Sequence, residues 1–445
     1  MLSMAQISAK ERQQCDQCSG WGMSRSMSVA MVLFLIYPLF RNLFGEIDAV
    51  WFTSISAGAY IILRSFKPSV VLTLPFIAWF TISVIALVSF LVLGPAATSA
   101  PKRALTFVIA ILLMLSLSTN KNWIRPTMRI VLFMLLIHAL ATLLFALVPG
   151  VYTGFIKPRF FASSQDAIGA QSGLTAHYSY NGMLLSAGVL LSATELWTAS
   201  DNSKGDIKAI TPNVMILFVF ILALLVTSKR GPLLAVVTAL ILGLYVGSGK
   251  YKFSALLKIG FFAFGVAFIV VALSQFVPQI ATVFKRFAEI SGGLNDADAT
   301  NGRSYLWERA FELWRSSPIV GHGWGTYRYY WEGRLDVATS TAHNVFLNLL
   351  AEVGIAGLLL FLVAAVPSFV GLWRAMSRRS ELGIDASAVS FAFMFQIFFF
   401  VYSFTGSPLY DIESYIFYLL LSCGVWFSMS CSDETKSFFR RKGRV

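Results

Sequence analysis

The sequence alternates long apolar runs with short polar breaks from residue 28 to residue 430. Runs of roughly 16–25 apolar residues are long enough to cross a bilayer as helices. A helix satisfies its own backbone hydrogen bonds in lipid, so the pattern predicts an all-α polytopic bundle. About twelve spans are predicted, near residues 28–44, 47–63, 70–94, 103–119, 128–148, 176–198, 211–228, 231–247, 255–277, 354–374, 386–405 and 411–430.

Composition and charge agree with a membrane protein. The chain has 445 residues, of which 57% are hydrophobic and 13% charged, whereas soluble domains carry about 25% charged residues. About 21 of the 35 Lys and Arg residues fall in the two tails and one alternate set of predicted loops. Cytoplasmic loops carry such an excess, so both termini are predicted to be cytoplasmic. This asymmetry accounts for much of the net charge of +13, and no nucleic-acid partner is expected.

The predicted organisation has five parts. These are a cytoplasmic tail (1–27), nine spans (28–277), a long outer loop (278–342), three further spans (343–430) and a basic cytoplasmic tail (431–445). The polar start of the chain predicts no cleavable signal peptide. A connection as long as the outer loop is usually functional.

The outer loop is predicted to contain two amphipathic helices. The first covers "PQIATVFKRFAEIS", and the second covers "NGRSYLWERAFELWRSSP" after a flexible break. The apolar face of the second is predicted to hold Trp307, Ala310, Phe311 and Trp314. A glycine-punctuated aromatic stretch follows, "VGHGWGTYRYYW". Its Tyr and Trp side chains suit the membrane interface, or stacking on sugar rings, and their spacing leaves both interpretations open.

Basic residues on the outer face are candidates for binding an anion. Arg303 begins the second loop helix, where an anion would meet both the guanidinium and the helix N-terminus. Lys229 and Arg230 separate two spans with almost no loop, and ionisable groups at membrane depth are usually functional. Arg159 adds positive charge to the same face. The alternatives are a solvated Arg303 and a Lys229–Arg230 pair that anchors the chain at the interface.

A histidine stands at the mouth of the tenth predicted span. His343 and Asn344 lie in "STAHNVFLNLLAEVGIAGLLLFL". A histidine there can cap a helix, bind a metal or transfer a proton, and its ordinary pKa near 6.5 suits a general base. Asn344 suits the N-cap position. The sequence shows no clustered ligand set and predicts no metal or cofactor, and Cys15 and Cys18 are predicted to be reduced thiols because a zinc site needs four ligands.

The order of these motifs resembles a known family. It runs "SKRG", "GRSYLWERAFELW", "SPIVGHGWGTY" and "AHNVFLNLLAEVGIAGLLLF", and it resembles the O-antigen ligase and O-antigen polymerase superfamily across about residues 225–362. The resemblance implies a twelve-span bundle in the bacterial inner membrane, with a periplasmic loop over a lipid-facing cavity. It also implies inverting glycosyl transfer, without metal or nucleotide, from a glycan linked to undecaprenyl diphosphate. A ligase would use lipid A–core as acceptor, and a polymerase would use another lipid-linked repeat unit.

The resemblance also assigns roles to single residues. The family's external arginine falls on Arg230, its loop arginine on Arg303 and its histidine on His343. It implies that His343 is the catalytic base and that Arg230 and Arg303 bind the diphosphate. Lys229 and Arg159 are predicted to bind the diphosphate as well, because of their positive charge on the same face. The active site would face the periplasm, surrounded by membrane lipids. A transporter or flippase is the alternative class; it predicts inverted repeats with paired broken helices, which the sequence does not show.

Overall fold

The computed structural model describes residues 23–41, 43, 48–66, 73–93, 101–160, 171–175, 177–203, 207–249, 303–328, 341–379 and 386–430, with the single positions 257, 260, 265 and 271. Regular structure within these residues is helical, which confirms the predicted all-α class. The ninth predicted span, apart from those single positions, lies outside the described residues, as do the first loop helix and the flexible break after it.

Each other predicted span coincides with a helix of the described chain. The helices are α1 (Arg25–Phe40), α2 (Asp48–Ser65), α3 (Leu74–Leu93), α4 (Pro101–Leu117), α5 (Ile124–Leu147), an irregular α6 (Pro149–Val151, Tyr152–Ile156 and Lys157–Phe160), α7 (Tyr178–Ser203), α8 (Ile207–Val226), α9 (Arg230–Gly247), α10 (Arg303–Ser316), α11 (Val345–Ser377), α12 (Ala386–Tyr402) and α13 (Ile412–Phe417, Tyr418–Cys423 and Gly424–Ser430).

Five helices of the described chain are long and apolar enough to cross a membrane. They are α5, α7 over Tyr178–Asp201, α9, α11 and α13 over Ile412–Ser430. Shorter apolar helices cover Arg25–Phe40, Leu74–Ser89, Ala104–Leu117, Ile210–Val226 and Ala386–Tyr402. The count of twelve spans, the five-part division of the chain and the side that each end faces stay predictions.

The centre of the bundle is α12, in which every residue from Ser387 to Phe399 is buried. A helix that is apolar all round is expected in such a position. Gln396 is the largest polar side chain in this stretch, and both the nitrogen and the oxygen of its amide group form hydrogen bonds. Its Nε2 donates to the Tyr418 hydroxyl (2.8 Å), and its Oε1 accepts from the Ser422 hydroxyl (2.7 Å). Polar contacts of this kind hold helices together in lipid, here α12 and α13.

The helix ends fall into two groups at opposite ends of the bundle. At one end, the Val345 amide at the start of α11 donates to the Ser403 carbonyl just after α12 (2.9 Å). At the other end, Arg379 after α11 forms an ion pair with Asp201 near the end of α7. We call the first of these the loop end, because α10 and the chain around it pack there.

Helix α11 is longer than the span predicted near 354–374 and is broken inside. The predicted span is shorter because Asn348 and Glu352 interrupt the apolar run. Both side chains are nevertheless buried and hydrogen-bonded, so the helix extends back to Val345. The break lies at Gly354, whose φ of 66° is left-handed.

The chain that follows α10 fills this break. The Ile355 amide donates to the Pro318 carbonyl (2.9 Å), and the Ala356 amide donates to the Ile319 carbonyl (3.1 Å). A Cβ atom on Gly354 would lie 2.2 Å from the Ile319 oxygen. Backbone that leaves a helix inside a membrane protein needs such replacement acceptors. The break and the loop therefore depend on each other.

Replacing Gly354 by alanine is expected to destabilise the fold by about 2–4 kcal/mol, because a left-handed φ strains the new residue and its methyl group collides with the loop. The matched control is Gly150→Ala, where a Cβ atom would meet nothing within 4 Å. Thermal melting of both purified variants in detergent measures the difference. Equal melting temperatures would show that the loop does not fill the break.

The second loop helix is confirmed as α10, but its predicted face is wrong in part. The buried residues are Leu306, Ala310 and Leu313, whereas Phe311 is 40% exposed. The helix packs small and aliphatic side chains against α11 and the ring of Tyr327. Its larger aromatic rings therefore lie toward the rim of the contact, rather than at its centre.

Candidate active site

Two strained turns lie at the loop end. Ser228 (φ 54°) and His343 (φ 48°) are the non-glycine residues with positive φ in the described part of the chain. Each such residue costs about 1–3 kcal/mol and persists where its surroundings hold it, often at a functional site. Ser228 stands directly before Lys229 and Arg230. The predicted histidine and two of the predicted cations therefore lie at turns that the fold maintains against strain.

The strained position of His343 is fixed by the start of α11. The Asn344 side chain accepts hydrogen bonds from the amides of Phe346 (3.0 Å) and Leu347 (3.2 Å). This confirms the predicted N-cap. The capped helix leaves His343 directly before its N-cap, half-buried at the loop end.

The chain just before His343 is held by two other elements. The Ala342 amide donates to the Asn348 side chain (3.0 Å), and the Ala342 carbonyl accepts from the Trp307 indole of α10 (3.0 Å). These bonds place α10 beside the histidine. The outer loop and the tenth predicted span thus meet at His343.

Lys229 and Arg230 lie in the turn between α8 and α9. The Lys229 ammonium sits over the ring of Tyr178 at the start of α7, 4.1 Å from its centre. On the other side, a Cβ atom on Gly231 would lie 2.9 Å from the Thr405 hydroxyl oxygen. The turn is therefore wedged between α7 and the chain that links α12 to α13, and its two cations are half-buried.

Arg303, at the start of α10, lies close enough to Arg230 for the two charges to interact. Burial lowers the pKa of its guanidinium first, and the charge of Arg230 lowers it further, while Tyr402 and Tyr178 act in the opposite direction. An anion bound beside Arg303 and Arg230 would offset the repulsion that Arg230 exerts on the Arg303 charge. The predicted diphosphate ligands Arg230 and Arg303 are therefore brought together.

His343 lies within the field of the same cations. Burial lowers the pKa of its imidazole to about 4, with further lowering by the charges of Arg303 and Lys229. The ring is therefore neutral at neutral pH, the state that a general base requires. In the described part of the chain, neither ring nitrogen makes a hydrogen bond.

The comparisons with known proteins point to the same region. Residues 215–362 match the family model described as O-antigen ligase, and this region includes both arginines and the histidine. The chain carries a domain of the O-antigen ligase and polymerase superfamily. It is also similar to the exopolysaccharide production protein ExoQ of Rhizobium meliloti (strain 1021), with 30% identity over 118 residues. That match covers 23% of this chain and spans about a quarter (26%) of ExoQ. The superfamily is one of glycosyltransferase-like enzymes of polysaccharide synthesis.

No contact among the described residues joins Arg159 to Lys229, Arg230 or Arg303. Arg159 is exposed on α6, where its guanidinium lies 5.4 Å from the centre of the Phe155 ring. Its predicted role in diphosphate binding stays a prediction. Likewise, the described chain holds no group of three His, Cys, Asp or Glu side chains suited to a metal ion.

Two further histidines, His177 and His322, lie near the loop end of the bundle. His177 stacks on Tyr178 with ring centres 4.2 Å apart, and its Nδ1 accepts from the Ser179 amide. His322 has its Nε2 3.0 Å from the Leu313 carbonyl oxygen, near the end of α10. His177 therefore packs against the Tyr178 ring that contacts Lys229, and His322 links the loop after α10 to the end of that helix.

The described part of the aromatic stretch, which ends at Arg328, has its Trp324 and Tyr327 rings packed inside the protein. Trp324 is 8% exposed and stacks on Tyr410, and Tyr327 is 2% exposed. Neither ring is available for the membrane interface or for a sugar, the two interpretations that the sequence left open.

Sequence reasoning missed two contributors to the site. Tyr178, which holds the Lys229 ammonium, carried no signal beyond its place at the start of a span. Glu352 did carry one, because a carboxylate inside an apolar run is itself unusual.

Proposed function

We propose that this protein transfers a glycan from undecaprenyl diphosphate to a sugar hydroxyl at the periplasmic face of the bacterial inner membrane. The observation that carries the proposal is the convergence of Arg303, Arg230 and Lys229 around a neutral His343 at one end of an apolar bundle. The match to the O-antigen ligase family model and the similarity to an exopolysaccharide production protein support it.

The chemistry follows from these groups. A ring nitrogen of His343 accepts the proton of the acceptor hydroxyl, and the oxygen attacks the anomeric carbon of the donor. The bond from that carbon to the phosphate oxygen breaks, and undecaprenyl diphosphate leaves with the bonding electron pair. Arg303 and Arg230 stabilise the negative charge that develops on it. Direct attack inverts the anomeric configuration. The donor is already activated, so the proposal includes no metal or nucleotide.

The acceptor divides the proposal into two forms. The first is the ligase reaction, in which lipid A–core supplies the hydroxyl. The second is the polymerase reaction, in which another lipid-linked repeat unit supplies it; the ExoQ relative, named for exopolysaccharide production, favours this form.

Proteoliposomes of the purified protein test both forms. They receive a lipid-linked glycan together with either lipid A–core or a second portion of lipid-linked glycan. A glycosylated lipid A–core identifies the ligase, and a lengthened lipid-linked glycan identifies the polymerase. Movement of the donor across the bilayer without any covalent product would replace the proposal by a flippase.

Labelling of single cysteines tests the predicted orientation. Glu308→Cys on exposed α10 is expected to react with a membrane-impermeant thiol reagent in intact spheroplasts. Ser200→Cys, near the end of α7, is expected to react after lysis. Both variants are made in a chain whose native cysteines are serine, at positions 15, 18, 423 and 431. The reverse labelling pattern would place the candidate site in the cytoplasm.

The low pKa of His343 predicts an unusual pH profile. The base must be neutral, so kcat/KM is expected to stay constant from about pH 8 to about pH 5.5 and to fall only nearer pH 4. Bound diphosphate offsets the charges of Arg303 and Lys229, so the acid limb of kcat is expected at higher pH than that of kcat/KM. The unfolded chain takes up a proton on this histidine before the folded one, so its contribution to stability declines as pH falls from about 6.5 to about 4. An acid limb of kcat/KM near pH 6.5 would contradict the assignment.

A further inference from the structure

Glu352 in the first section of α11 receives four hydrogen bonds from the loop after α10. Its backbone carbonyl accepts from the amides of His322 (3.0 Å) and Gly323 (2.7 Å). Its side-chain oxygens accept from the amides of Gly325 (2.9 Å) and Tyr327 (3.2 Å). The residue is 3% exposed. Both carboxylate oxygens are thus used to hold backbone, not substrate.

The loop can approach Glu352 so closely because it carries glycine at the contact. A Cβ atom on Gly321 would lie 2.4 Å from the Glu352 carbonyl oxygen, and Gly321 has a left-handed φ of 67°. Gly354 allows the same approach from the α11 side. The glycines of the sequence motif therefore serve to seat the loop on the broken helix.

The seated loop in turn holds α10. The Tyr327 hydroxyl donates to the Leu306 carbonyl (2.7 Å). Leu306 lies one turn after Arg303 in α10. The next residue of α10, Trp307, donates to the Ala342 carbonyl directly before the candidate base. A continuous set of hydrogen bonds therefore runs from Glu352 through the loop to the helix that carries Arg303, and on to the chain of His343.

We infer that Glu352 is a positioning residue, whose carboxylate seats the 322–327 loop so that α10 holds Arg303 at a fixed separation from His343. The inference rests on the roles proposed for those two residues. Glu352 acts through the loop and α10, and it contacts no reacting atom. A small displacement of a catalytic group costs about 10²-fold in rate, so a carboxylate far from the chemistry can control turnover.

The pKa of His343 provides a readout of this separation. Burial under the packed chain and the charge of Arg303 both lower it, and Lys229, the other cation that acts on it, lies in the α8–α9 turn. Movement of α10 away from His343 removes part of the first two effects and leaves the third. The pKa would then rise toward its ordinary value near 6.5. Loss of stability alone, with the site intact, would not change it.

The principal variant is Glu352→Gln. An amide keeps one acceptor oxygen but replaces the other by a donor, so one loop amide loses its partner. Protein with ¹³C-labelled histidine is titrated by NMR in nanodiscs, and His343→Ala identifies the resonance. We expect the wild-type ring to stay neutral to about pH 5, and the variant to titrate at least about one pH unit higher. We also expect kcat to fall about 10–100-fold with little change in KM for the acceptor.

The matched control is Glu195→Gln. The Glu195 carboxylate accepts from the Ser387 hydroxyl (2.7 Å) at the end of the bundle opposite to the site. This variant is expected to lower the melting temperature while the pKa of His343 and kcat stay unchanged. It separates the effect of replacing a half-buried, hydrogen-bonded carboxylate elsewhere from the effect of replacing the Glu352 carboxylate.

Tyr327→Phe provides a second route if Glu352→Gln does not fold. It keeps the ring and removes the bond to Leu306, so the same changes are expected at smaller size. An unchanged His343 pKa in the folded variants would overturn the inference and leave Glu352 with a structural role. A wild-type protein that transfers no glycan would refute the proposed function, whereas the titration would still decide whether Glu352 positions α10.

Discussion

Replacing His343 by alanine is expected to lower the turnover of glycan transfer by about 10²–10⁴-fold, the usual contribution of a general base. Donor affinity and melting temperature are expected to change little, because the imidazole makes no hydrogen bond within the described residues. In vitro transfer, donor binding and thermal melting of the same preparation measure the three quantities. The control is Asn344→Ala, which removes the N-cap and is expected to cost about 1 kcal/mol of stability.

Three outcomes would contradict the role of His343. A folded, donor-binding His343→Ala variant with full turnover would show that the ring accepts no proton. A product with retained anomeric configuration would exclude direct attack by the activated hydroxyl. Loss of wild-type activity on addition of a chelator would instead make the histidine a metal ligand.

Alanine at Arg303 or at Arg230 is expected to lower kcat by about 10²–10³-fold, or about 2.7–4 kcal/mol in the transition state. Each guanidinium would stabilise the leaving diphosphate. Lysine keeps the charge but loses the planar fork that matches phosphate oxygens, so Arg303→Lys and Arg230→Lys are also expected to be impaired. Steady-state transfer with a lipid-linked donor measures each effect.

Arg309 provides the matched control for these variants. It lies on the same helix as Arg303 and forms an ion pair with Glu312 (2.5 Å). Exposed pairs of this kind contribute little to stability, so Arg309→Ala is expected to transfer glycan like the wild type. If Arg303→Ala and Arg230→Ala behaved like Arg309→Ala while remaining folded, the diphosphate site would have to lie elsewhere.

Long apolar runs predicted the apolar helices of the described chain, because burial in lipid leaves a strong signal along the sequence, but they did not predict α6. Local chemistry predicted two details of the site: the helix that begins at Arg303 and the N-cap at Asn344. Both depend on neighbouring residues alone. The family resemblance selected Arg230, Arg303 and His343. In the structure the charge of Arg230 acts on Arg303, and the charge of Arg303 acts on His343.

The parts that sequence did not predict depend on distant contacts. Glu352 interrupts an apolar run, yet it is buried because loop amides approach it from another part of the chain. Phe311 has the right spacing for the buried face of α10, but the surface of α11 decides which stripe is covered. The left-handed backbone at His343 likewise arises from bonds on both sides of it.

The seat between the loop and the break in α11 also constrains the order of biosynthesis. The ribosome delivers α10 and its loop before α11, so the loop lacks its contacts with Glu352 and Gly354 until the broken helix has been made. The Val345 amide finds its acceptor, the Ser403 carbonyl, only after α12 has followed. A nascent chain that is still being inserted therefore lacks the contact that fixes the start of α11 beside His343. We therefore expect the site to be complete only when the last helices are in place. A chain truncated before α12 is expected to enter the membrane but to transfer no glycan.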